Sequence, residues 1–194
     1  MRDYDAIVLA GGAGRRMGMV DKLTLEVGGH SLLDRVLGAV SAAGRVVAVG
    51  PPRPSVTTRP VVWCREDPPG AGPRAALEAA LPLTSAPVVL VVAGDLPAIA
   101  SAIPVLLDRV AEQGTQVSVL VDPDGQVNYV AAAWQRDQLE SALGRPGRTL
   151  RELFAGKDVC LIDDTHGWGA DCDTPEDLER ARRRDKGLRP EAQH

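Results

Sequence analysis

Apolar residues fall in short runs that end at glycine, and between those runs they recur at helical spacing. The run Asp5-Ala6-Ile7-Val8-Leu9-Ala10, stopped by Gly11-Gly12, predicts a buried strand. Leu32, Leu33, Val36, Leu37 and Val40 share one face of a predicted helix over 31–43, with Ser31 as N-cap, Asp34 in the first turn and Gly44 as stop. Strands over 45–49 and 61–64 flank a proline-rich loop. A helix over 73–81 opens at Gly72-Pro73, where the missing proline N–H costs nothing. Residues 88–93 form the most β-branched run and stop at Gly94-Asp95-Leu96-Pro97. A helix over 99–113 follows. Strands over 117–121 and 127–134 then form a hairpin about Pro123-Asp124-Gly125. Short helices over 136–143 and 150–154, a strand over 159–162 and a helix over 175–184 complete the pattern. Thr174 caps the last helix, with Asp177 at the capping-box spacing.

Strands alternating with helices imply right-handed crossovers and a mostly parallel α/β sheet, with the hairpin making a mixed edge. No repeat or internal linker divides the chain, so a domain over 1–185 is expected. The residues from 186 to 194 lack apolar pattern and read as a frayed tail.

Composition narrows the function classes. The 194 residues carry 22 Lys and Arg against 26 Asp and Glu, a net charge of −4, which argues against a nucleic-acid-wrapping protein. Aromatics are only 3% of the chain, too few for base-stacking platforms. The longest apolar run, 86–93, is far short of the ~20 residues that span a bilayer. Asp3 and Asp5 precede the first apolar stretch, the wrong charge for a secretory signal. The three cysteines form no C-x-x-C pair, and their odd number fits a reducing cytosol. The expectation is a cytoplasmic protein without nucleic-acid or membrane partners.

Candidate chemistry concentrates in Gly11-Gly12-Ala13-Gly14-Arg15-Arg16-Met17-Gly18 and Asp21-Lys22. The loop follows the first strand, where open α/β sheets bind ligands. Its glycines let backbone N–H groups approach an anion, and Arg15, Arg16 and Lys22 add charge suited to a polyphosphate. A Walker A loop is excluded because Lys22 is followed by Leu23. A dinucleotide fingerprint is disfavoured because Met17 stands where its third glycine belongs. Asp95, at the end of a buried strand opposite this loop, is placed to hold Mg²⁺ on a nucleotide, although an Asp before Pro97 is also an ordinary turn residue. The three histidines lie far apart and support neither a metal site nor a catalytic triad. Arg180, Arg182, Arg183 and Arg184 read as the solvated, dipole-favoured end of the last helix.

The stretch from Leu9-Ala10-Gly11-Gly12 through Arg16-Met17-Gly18 and Asp21-Lys22 resembles the signature of nucleoside-triphosphate transferases, most nearly the molybdenum cofactor guanylyltransferase (MobA-like) family. Gly72-Pro73, Gly94-Asp95-Leu96-Pro97 and Asp173-Thr174-Pro175-Glu176-Asp177-Leu178 extend the resemblance over most of the chain. It implies a Rossmann-like three-layer α/β domain with a mostly parallel mixed sheet, of the nucleotide-diphospho-sugar transferase type. It implies Arg16, Lys22 and Asp95 as catalytic residues. Leu9, Ala10, Gly11, Gly12, Gly14, Arg15, Asp67, Gly72 and Pro73 join them around the nucleotide. Asp95 would be the main Mg²⁺ ligand, with Asp173, or alternatively Asp171, as the second. Asn128 is an acceptor-side candidate. Two departures stand out: Arg74 follows Gly72-Pro73 where the family more often has Leu, and Asn128-Tyr129 replaces a proline-containing segment.

The implied reaction is transfer of GMP from GTP to molybdopterin with loss of pyrophosphate. Molybdenum-insertion or molybdoenzyme-maturation proteins are the partners to look for. The alternatives are a cytidylyltransferase, another NTP transferase acting on a phosphorylated acceptor, or a non-catalytic nucleotide-binding protein for cofactor delivery. A nucleotide-sugar enzyme would usually need a longer chain for its sugar pocket.

Overall fold

A computed structural model describes residues 3–11, 21–57 and 59–188. Gly12, Gly14, Arg15 and Arg16 lie outside these, as do residues 189–194 of the expected tail.

Strand β1 (Tyr4–Leu9) is paired in parallel with β4 (Val46–Val49) on one side and β6 (Val88–Ala93) on the other. Beyond β4 lies β5 (Val61–Cys64), also parallel. The strand order reverses between β1 and β6, so the crevice at their C-terminal ends is a topological switch point, where such sheets bind ligands. On the far side the order continues β6, β8 (Val127–Gln135), β7 (Val117–Val121), β9 (Val159–Asp163). The hairpin is therefore not an edge. Its second strand, β8, inserts antiparallel between β6 and β7, and β9 forms the edge parallel to β7. Ala131, Ala132 and Ala133 are fully buried and let β8 fit between two strands and two helical layers.

Alternate residues of the central strands enter opposite cores. Ala6, Val8, Leu90 and Val92 pack with Leu33, Val36 and Leu37 of α1 (Leu32–Ala39) and with Ile103, Leu106 and Val110 of α3 (Ala102–Val110). Ile7, Val47, Val89, Val91 and Trp134 pack with Ala76, Leu77 and Ala80 of α2 (Pro73–Ala80) and with Leu139 and Ala142 of α4 (Arg136–Leu143). This is the three-layer arrangement expected. Helix α1 stops four residues before the expected end because the chain turns at Val40 to bring Gly44 N–H onto the Tyr4 carbonyl. The sequence pattern also missed a two-stranded ribbon, β2 (Glu26–Val27) with β3 (His30–Ser31), and the buried role of Asp5. Asp5 is 2% exposed and accepts from the N–H groups of Arg45, Ser85 and Ala86, which ties two loops to the start of β1.

Helix α5 (Pro175–Leu188) runs past the expected boundary at Arg184. Its arginines dock it instead of facing only solvent: Arg182 donates to the Glu26 carbonyl and Arg184 to that of Gly167. Thr174 and Asp177 form the expected capping box. Asp177 Oδ2 accepts from the Thr174 N–H and hydroxyl, and the Thr174 hydroxyl accepts from the Asp177 N–H at 3.2 Å. The Thr174 hydroxyl, more than any other group, holds the Asp177 carboxyl below its ordinary pKa. A depressed carboxylate pKa stabilises the fold above the ordinary carboxylate range, and that contribution is lost as pH falls through the depressed value. Asp177→Ala is therefore expected to lower unfolding free energy by about 1 kcal/mol at pH 7. Urea unfolding over a pH series should show this gap closing in acid; a gap that is constant with pH would contradict it.

Candidate functional site

The site is built where three distant segments meet at the C-terminal ends of β1 and β6. Asp21 N-caps a 3-10 turn over Lys22–Thr24, its carboxylate accepting from the Leu23 N–H. The turn aims the Lys22 ammonium at Asp95, two residues beyond β6, and at Asp173, in the segment held by the Thr174 cap. Lys22 Nζ donates to Asp95 Oδ2 and, at 2.6 Å, to Asp173 Oδ1. Burial would lower the Lys22 pKa, but its hydrogen bonds to Asp173 and Asp95, with their charges, outweigh it and hold the pKa above its ordinary value. One ammonium thus keeps two carboxylates together that would otherwise repel.

Asp173, and not Asp171, shares the ammonium with Asp95. The Asp171 carboxyl is pushed above its ordinary pKa by burial first and by the charges of Asp173 and Asp95 second. Beside Asp171 and Asp173, Cys172 is buried, and burial together with the charges of Asp95, Asp177 and Asp171 raises its thiol to about 12. It stays protonated and offers no nucleophile.

A buried guanidinium that the sequence pattern did not single out braces this arrangement. Arg53 Nε pairs with Asp21 Oδ2 at 2.6 Å, and its Nη1 donates to the Ala10 carbonyl at 2.6 Å. It so ties the end of β1 to the turn that carries Lys22. A single arginine in a proline-rich loop has no periodicity or motif to announce it. Nearby, Gly50 has φ +146°, and a Cβ there would stand 2.5 Å from the Ala10 carbonyl oxygen. Only glycine lets β4 end this close to the site.

Two cavities open on either side of Pro73, the larger of them lined in part by Asp95. One, of about 570 Å³, is lined by Leu9, Gly11, Gly50, Glu66, Gly72 and Pro73 among others. These include four of the residues expected at the nucleotide. Asp67 is exposed and does not line this cavity; Arg65 and Glu66 do. The second, of about 780 Å³, lies on the other side of Pro73 and contains Asp95, Asp171, Asn128, Tyr129, Arg148 and Arg151. Its floor depends on a register shift: as β7 advances from Val119 to Leu120, the partner on β8 jumps from Ala132 to Asn128. Such bulges re-aim side chains near sites. Asn128 Nδ2 donates to the Gly169 carbonyl at 2.9 Å. Asp164 spends both carboxylate oxygens on the N–H groups of His166, Trp168 and Gly169, which fixes that wall. Arg148 and Arg151 were not picked out from the sequence, because their loop shows no pattern beyond its glycines and arginines.

Known proteins agree with this architecture. A family model described as a MobA-like NTP transferase domain matches residues 6–160. A probable molybdenum cofactor guanylyltransferase of Methanosarcina acetivorans is 29% identical over 177 residues, covering 84% of this chain and 79% of its own. A molybdenum cofactor guanylyltransferase of Rhodobacter capsulatus is 30% identical over 182 residues, covering 90% of this chain and 93% of its own. A nucleotidyl transferase from Methanothermobacter superposes with a TM-score of 0.77 at 21% identity, over 97% of this chain and all of its own, and so shares the fold. With the family model matching most of the chain, and the glycine-flanked crevice and Lys22 cluster standing at the switch point of the sheet, the protein belongs to the MobA-like NTP transferase family and is a nucleotidyltransferase.

Proposed function

We propose that this protein transfers GMP from GTP to molybdopterin and releases pyrophosphate. The observation that carries the reading is the Lys22 ammonium joined to both Asp95 and Asp173 at the end of β6. A cation already sits between two convergent carboxylates, which suits a nucleotide that arrives with a divalent ion. Mg²⁺ is typically bound by one or two carboxylates, with waters and substrate phosphates completing its shell. No group of three His, Cys, Asp or Glu stands ready to hold a metal among the described residues, so two carboxylates and a nucleotide fit better than a resident ion. Asp95 and Asp173 would hold the Mg²⁺. When bound, the ion supplies Lewis-acid stabilisation of charge at the α-phosphate.

The chain's own residues supply alignment and charge. Two of the three Lys22 N–H donors are engaged by the acids, and among the described residues the third is left for a phosphate oxygen. We assign Gly12, Gly14, Arg15 and Arg16, which lie outside the described residues, to the phosphates on the strength of the sequence resemblance alone. In the smaller cavity, Glu66 accepts from the Gly70 N–H and offers its carboxylate to the N–H donors of a guanine edge. In the larger cavity, Arg148 and Arg151 suit the phosphate of the acceptor, and Tyr129 and Pro73 suit its flat ring. A phosphomonoester is largely ionised near neutral pH, its second pKa being ~6, so attack needs no strong general base.

Pyrophosphate release measured with each of the four NTPs and Mg²⁺ tests the reading. Release is expected with GTP only when molybdopterin is present. Release with CTP in place of GTP would make the enzyme a cytidylyltransferase, and GTP binding without release would make it a delivery protein. Lys22→Ala is expected to keep the circular dichroism of the fold and to lose roughly tenfold or more in turnover, a barrier increase of about 1.4 kcal/mol or more. Full turnover in that variant would remove Lys22 from the chemistry.

A further inference from the structure

The second residue of α2, Arg74, is 5% exposed although it is charged. Its Nε pairs with Glu78 Oε1 at 3.1 Å. Its Nη2 donates to the Leu143 carbonyl at 3.0 Å and to the Arg145 carbonyl at 2.5 Å. Both carbonyls belong to the C-terminal end of α4 and the turn after it, where the helix dipole favours a cation. The chain then passes over the guanidinium so closely that a Cβ on Gly147 would stand 2.8 Å from Arg74 Nη1 and 2.9 Å from Glu152 Oε2. Glu152 in turn accepts from the N–H groups of Arg148, at 2.6 Å, and Thr149, at 2.9 Å. The guanidinium therefore ties Leu143 and Arg145 to the first turn of α2, and Glu152, close beside it across Gly147, holds Arg148 and Thr149.

The anchored segment is not remote from the site. Pro73, immediately before Arg74, lines both cavities, and Arg148, Thr149 and Arg151 line the larger one. We propose that Arg74 is a positioning residue for the acceptor: it fixes Arg148 and Thr149 against Pro73 so that a phosphomonoester acceptor is held in register with the nucleotide. This rests on the larger cavity being the acceptor side, as in the proposed function. Arg74 itself touches neither substrate. Lysine, a point charge without the planar fork, cannot reach Glu78 and both carbonyls together.

The test compares wild type, Arg74→Lys and Gly147→Ala by pyrophosphate release, with molybdopterin and GTP varied separately and melting temperature recorded. Gly147→Ala keeps the arginine but sets a Cβ against its Nη1 and against Glu152 Oε2, so it disturbs the same contact and serves if Arg74→Lys does not fold. Both variants are expected to raise the KM for molybdopterin roughly tenfold or more while the KM for GTP stays within about twofold. Equal changes in both KM values, or a lower melting temperature with neither KM changed, would overturn the role of Arg74. A wild-type protein that releases no pyrophosphate from GTP with molybdopterin would overturn the guanylyl-transfer reading instead, and the acceptor role with it.

Discussion

The site depends on one ammonium shared by two carboxylates. Lys22, Asp95 and Asp173 come from segments 73 and 151 residues apart from the lysine, and nothing in local sequence would bring them together. Without the cation, two carboxylates at the mouth of a half-buried crevice would repel each other. With it, the cluster is held at a net charge that a divalent ion and a polyphosphate can then reorganise. The surrounding structure serves this contact from each side. The capping box at Thr174 fixes the approach of Asp173, Gly94 after β6 leaves room for Leu23 of the turn that carries Lys22, where a Cβ would stand 3.3 Å from Leu23 Cδ1, and Arg53 locks that turn to the end of β1.

The same device recurs around the cluster. Buried charged groups in this protein spend themselves on backbone atoms of neighbouring loops: Asp5 on three N–H groups, Asp164 on three, Arg53 on two carbonyls and Arg74 on two. A buried ion left unpaired is costly, so each of these sets the position of a loop as well as satisfying a side chain. Loops around an active crevice are thereby held without additional secondary structure, and the low aromatic content of the chain is no handicap to a shaped site.

This device also explains what could be read from the sequence. The strands and helices were legible because apolar periodicity reports burial directly. Asp95 and Lys22 were legible because a carboxylate after a buried strand and a lysine after a glycine loop form a pattern. The place of β8 was not: a hairpin turn shows that two strands are neighbours, but not that the second also pairs with β6. Arg53 and Asp164 were not legible, and Arg74 stood out only as a departure from the family pattern, since most of their partners are backbone groups that every residue carries. Of the four acids in 163–173, the resemblance singled out Asp173, with Asp171 as alternate; Asp173 is the one that reaches Lys22, while Asp164, unmarked in the sequence, braces a loop.

The central claim is that Asp95 and Asp173 together form the place where the nucleotide's metal is held. The most direct measurement is the Mg²⁺ concentration giving half-maximal pyrophosphate release at saturating GTP and acceptor, for wild type, Asp95→Asn and Asp173→Asn. The account predicts that each substitution raises it on the order of tenfold or more, with the fold intact. Half-saturation unchanged in both variants would contradict it.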